Sequence, residues 1–194
     1  MGMKRHEQGF LDGYKPAVIY WKRNDKQSRF FAQLKQYPFI SPFDSEPDSF
    51  MFFQNEELKT KYQEQIEGVE KDSYEEHLIV GLTLGFPRRS VEVFAKMREY
   101  ENKTGETSKE EEEYGVGIHW AGFGVQSHLE IVDQEIRWLW DTYNHPKSID
   151  IPLDLWDKKY SSFVKIPYGN FTKLEETIQL FKERRAALPS LVSD

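Results

Sequence analysis

A chain of 194 residues without a cysteine excludes disulfide stapling, thiolate catalysis and sulfur-ligated zinc, leaving His, Asp and Glu as the side chains able to hold a metal. Its net charge of −7 repels polyanions, so no nucleic-acid partner is expected and a partner protein with a basic surface fits better. With 38% hydrophobic and 15% aromatic residues the chain can build a core, and its length suits one globular domain over residues 1–194. No apolar run follows the basic residues at the start, and no stretch is long enough to span a bilayer, so the expectation is a cytoplasmic location without a membrane partner.

In chain order, "AVIYWK" from Ala17 reads as a strand, and "SRFFAQLKQ" reads as a short helix capped by Ser28 that turns Phe31 and Leu34 inward. Prolines 38, 42 and 47 mark a loop before a second strand at Ser49 to Gln54. Asn55 is placed to cap a helix carrying Leu58, Tyr62 and Ile66 at helical spacing. Ser73 and Glu76 form a capping box for the next helix, which is apolar nearly all round and so belongs at the centre. Gly85 ends it and Pro87 starts another, whose stripe is Val93, Phe94, Met97 and Tyr100.

A charged, flexible loop is expected near 102–113, including the four glutamates at 110–113. Ser127 and Glu130 repeat the capping box ahead of Leu129, Val132, Ile136, Leu139, Trp140 and Tyr143. Residues 144–170 hold three prolines and read as irregular, with "SSFVKI" from Ser161 as their one good strand. Thr172 and Glu175 cap the last helix, which buries Leu174, Ile178, Phe181 and Leu188 before Pro189, with Arg185 at the core edge and its head in water. The sum is an α+β chain, a small mixed sheet of about four strands packed by about five helices.

One stretch stands apart. "EEYGVGIHWAGFGVQSHLE", Glu112 to Glu130, carries four glycines within strand-like alternation. Period two over 114–125 sets Tyr114, Val116, Ile118 and Trp120 on one face, and Gly115, Gly117, His119, Ala121 and Phe123 on the other. Glycines beside His119 leave room either for a ligand or for close packing by another part of the chain. On the first reading His119 is a catalytic acid or base with His128 as partner; on the second it is a half-buried structural histidine.

Arg88 and Arg89 sit in the first turn of a helix, where positive charge opposes the dipole, which raises an anion-binding site or simple ion pairing. Trp138 lies two residues from Trp140 on one helix, so the two rings face apart and Trp138 is a candidate interface residue. His77 reads as a core or boundary histidine. The sequence holds no metal motif such as HExxH, no phosphate loop, no dinucleotide fingerprint and no GxSxG elbow, so no metal site and no cofactor is expected.

Two expectations follow. The first is a protein-binding or regulatory module, with a homo-oligomer possible through a strand edge or aromatic patch. The alternative is a small-molecule enzyme with a histidine acid/base or metal site on the 114–125 strand and an arginine anion site.

Overall fold

The computed structural model describes residues 5–22, 28–43 and 48–187. Its class is α+β, and its strands form two antiparallel sheets rather than one mixed sheet. The first sheet has the order β1 (Ala17–Trp21), β3 (Ser49–Phe53), β2 (Phe39–Ile40). Val18 opposite Phe52 and Tyr20 opposite Phe50 face Phe10 of α1 (His6–Leu11) and Phe30 and Leu34 of α2 (Ser28–Leu34). On the reverse face Ala17, Met51 and Phe53 meet Tyr62 of α3 (Glu56–Ile66) and the side chains of α4 (Tyr74–Thr83). Cover on both faces is why "SFMFF" is apolar throughout instead of alternating.

α5 (Arg88–Thr104) and α6 (Lys109–Tyr114) lead into the second sheet, ordered β5 (Phe123–His128), β4 (Gly115–Trp120), β6 (Leu153–Asp157), β7 (Ser162–Ile166). One face of this sheet is dry. Val116, Ile118, Trp120, Leu153 and Leu155 pack there against α7 (Val132–Thr142) and α9 (Phe171–Ala186) through Ile136, Leu139, Leu174 and Phe181. The other face is partly open, with Phe163 69% exposed. α8 (Pro146–Ile149) joins α7 to β6. No helix among the described residues is long and apolar enough to cross a membrane.

Several expectations change. The segment near 102–113 is mostly helical: α5 runs to Thr104, Gly105 closes it at φ 74°, and the Ser108 hydroxyl accepts from the Glu111 amide to open α6. Glutamates in a first turn suit the positive end of the helix dipole, so the acidic run is compatible with a helix. Glu111 is buried and ion-paired with Lys158. Residues 144–170 contain β6 as well as β7. Ser127 lies within β5, where pairing with Val116 keeps it extended, so it does not cap α7. Asn170, not Thr172, caps α9, its Oδ1 accepting from the Lys173 amide at 3.0 Å.

The caps at Asn55 and Ser73 form as expected, although the Glu76 carboxylate receives the Asp72 amide rather than that of Ser73. At the α4 to α5 corner the Phe86 amide donates to Gly81 and the Gly85 amide to Leu82, the Schellman pattern that the left-handed Gly85 permits. Tyr100 is exposed rather than buried. The Arg185 head is buried too: it clasps Asp157 at 2.9 and 3.1 Å and donates to the Glu113 carbonyl at 2.6 Å. Pro47, Leu188 and Pro189 lie outside the described residues.

Candidate functional site

The glycine stretch folds as a hairpin. Trp120 pairs with Phe123, and between them Ala121 (φ 50°) and Gly122 (φ 85°) make a two-residue turn of the primed kind that matches strand twist. Phe123 therefore joins the Trp120 face and not that of His119. The room left by the glycines is taken by the chain itself. A Cβ on Gly117 would meet the Trp156 ring at 3.0 Å, one on Gly115 the Glu111 carboxylate at 2.7 Å, and one on Gly124 the His6 ring at 3.3 Å.

His119 is half-buried, in register with Gly124 on β5 and Asp154 on β6. His128 pairs with Gly115 at the far end of the hairpin, about 13 Å away by strand rise. The two histidines are not brought together. His128 is buried, its Nδ1 accepting from the Glu130 amide at 3.3 Å, while its Nε2 is 3.7 Å from Glu110, beyond hydrogen-bond reach. The neighbour that His119 does acquire is His6, which approaches from α1 across Gly124. Burial, and then the charge of Lys15, lower the His6 imidazole below its ordinary value.

Arg88 is 3.5 Å from Glu92 and Arg89 donates to Gln134 at 2.5 Å, so each guanidinium engages a side chain of this protein. Trp138 is 41% exposed and meets Tyr143 edge-on at 5.8 Å. No group of three or more His, Asp or Glu among the described residues is placed to hold a metal ion.

Sequence reasoning missed Lys15. Its side chain is buried, its Nζ donates to the Gly122 carbonyl at 2.9 Å, and it lies 4.6 Å from the Phe123 ring centre and 5.7 Å from that of Phe86. Loss of water lowers its ammonium to about 7, only partly offset by the charge of Glu7. Tyr14 beside it donates to the Ala121 carbonyl at 2.5 Å. The hairpin tip is thus fastened to the segment that enters the first sheet.

A cleft of about 1090 Å³ lies between α4, α5 and the partly open face of the second sheet. Val80, Leu84, Phe94 and Met97 form its helical wall, and Gly124 and Trp156 lie on its floor. Ile19 and Trp21 of β1 close another side. α4 is apolar nearly all round yet not central: Leu78, Ile79, Val80, Leu82 and Leu84 of the helix and its C-cap are only half-buried, and Val80 and Leu84 border the cleft. Gly81 is the buried exception, because Val91 of α5 presses against it.

The rim carries both charge signs in pairs: Arg98 with Glu101 at 2.9 Å, Lys159 with Glu113 at 2.5 Å, and Lys158 with Glu111. His77 also lines the cleft, meets Phe94 edge-on at 5.7 Å, and is lowered by burial below its ordinary value. Comparison with family models, curated proteins and solved structures finds no match to this chain.

Proposed function

We propose that this chain is a protein-binding module and that the cleft between α4, α5 and the second sheet receives an apolar segment of its partner. The observation that carries this reading is α4, an apolar helix whose outward side chains stay half exposed along a hollow. Covering them would release water from apolar surface at roughly 25 cal/mol per Å². A polypeptide fits better than a small molecule. The hollow, about 1090 Å³, exceeds the common range of about 300 to 1,000 Å³ for ligand pockets, and most of its rim charges already have partners, which leaves little to orient a small polar substrate. An apolar groove edged by charges of both signs suits an amphipathic helix or strand.

The enzyme reading keeps one favourable observation, the approach of His6 to His119 over Gly124. It lacks the pairing of His119 with His128, and neither Arg88 nor Arg89 lines the cleft.

Random peptides displayed on phage and selected on the full chain supply a probe. The expected peptides are rich in apolar residues and lose at least tenfold in affinity, by fluorescence polarisation, on Val80→Asp and on Phe94→Ser. Trp138→Ala and His119→Gln should bind as the parent does, since neither residue lines the cleft. Amide exchange on the unaltered protein gives a second readout that does not depend on a variant folding. Bound peptide should protect α4 and α5, and protection confined to other elements would overturn the reading.

A further inference from the structure

A second surface, separate from the cleft, is the outer edge of β7. This strand ends the second sheet, and none of its residues from Ser162 to Ile166 has a backbone hydrogen bond outside its own sheet among the described residues. The opposite edge strand, β5, has α5 packed against it. β7 also carries Phe163, the most exposed large apolar side chain of the described residues at 69%, directly across from the half-buried Trp156 on β6. An unpaired edge with an apolar outer face is a template for another strand.

We propose that β7 pairs with β7 of a second copy of this chain about a two-fold axis at Val164, joining two four-stranded sheets into one of eight strands. The register follows from the side chains. A two-fold antiparallel pair keeps each face continuous only if outward residues oppose outward ones, which confines the axis to a residue position rather than a gap between residues. Centred on Lys165, the pairing sets two ammonium groups against each other, a destabilising arrangement. Centred on Phe163, it opposes Ser162 to Val164 and runs past the strand end to Ser161, whose φ of 47° is not that of a strand.

Centred on Val164, it pairs all five strand residues. Val164 then meets Val164, and Phe163 of each copy lies opposite Lys165 of the other. Lys165 turns its ammonium inward to Asp154 of β6 at 2.7 Å, which keeps that charge off the seam and leaves its aliphatic stem to cover the partner ring, a contact made twice. The axis stands perpendicular to the sheet, so the partly open faces of both copies point the same way.

The absence of cysteine makes the test clean. Opposed residues of an antiparallel pair have Cα atoms about 4.5 to 5.5 Å apart, within disulfide reach. Val164→Cys should therefore form a covalent dimer on mild oxidation, whereas Leu180→Cys, an exposed site on α9, should not. Light scattering of the unaltered chain should give a dimer at concentrations of tens of micromolar. Phe163→Lys, which sets Lys opposite Lys165, should weaken association at least tenfold, and Phe163→Glu, which sets opposite charges together, should retain it. A chain that stays monomeric up to 200 μM overturns the proposal, as does a dimer indifferent to Phe163→Lys and uncrosslinked by Val164→Cys.

Discussion

Lys15 has exchanged water for one carbonyl and two aromatic rings, and the exchange fixes how stability responds to pH. Its ammonium titrates at about 7 when folded against an ordinary 10.5, so between those values the unfolded chain holds a proton that the folded chain has released. Stability contributed here rises as pH climbs from about 7 towards 10.5, and below 7 the whole penalty is felt. The penalty is on the order of a few kcal/mol. Lys15→Met, which keeps the stem and removes the charge, should flatten this rise; urea midpoints at pH 7 and 9.5 measure it, and an unchanged slope removes Lys15 as its source. Nothing in the sequence singles out this lysine, because its burial depends on a hairpin tip far along the chain. The glycines were more legible. Their pattern marked close approach, and close approach is what they provide, but Trp156, Glu111 and His6 come from three other elements that spacing does not connect. Gly115→Ala should cost about 1 to 3 kcal/mol in urea unfolding, since the new methyl can be housed only by shifting α6.

β6 was illegible for a reason that also explains α9. In "LDLWD" the inward positions are Leu153, Leu155 and Asp157, and a carboxylate at the third breaks the alternation that announces a strand. Asp157 faces inward because Arg185 of α9 meets it with both guanidinium nitrogens in the dry interior. Each residue disguised the other's element: the aspartate hid a strand, and the arginine looked like the wet end of a helix. Arg185→Ala should cost about 3 to 5 kcal/mol by leaving a buried carboxylate alone, whereas Arg185→Met with Asp157→Leu should cost much less. A double-mutant cycle in urea checks this, and additive losses would show that the two side chains do not act together. Helices with one apolar stripe, α7 and α9, were legible from spacing alone. α4 was legible as a helix and misplaced, because apolar residues on every side mark either a central helix or one lining a cleft.

Across the whole molecule, sequence reasoning reached the α+β class and missed the division into two sheets. Strand pairing joins residues far apart: Ala17 pairs with Phe53, and Ile118 with Leu155. Local alternation carries no record of such pairings. Among the contacts that unite the two sheets are Tyr14 and Lys15 on the hairpin tip and the Tyr143 hydroxyl on the Gly85 carbonyl at 2.7 Å, beside the packing of Phe86 on Phe123. Tyr14→Phe removes one of these donors and should cost about 1 kcal/mol. The contact from Tyr14 to Ala121 spans 107 positions of the chain. Closing so long a loop is slow in entropic terms, while each hairpin can assemble from near neighbours, so this fastening belongs after the rate-limiting barrier of folding. Stopped-flow measurements on Tyr14→Phe should then show faster unfolding with refolding nearly unchanged. The clasp on the hairpin tip would act as a latch that closes last and sets how long the native molecule endures.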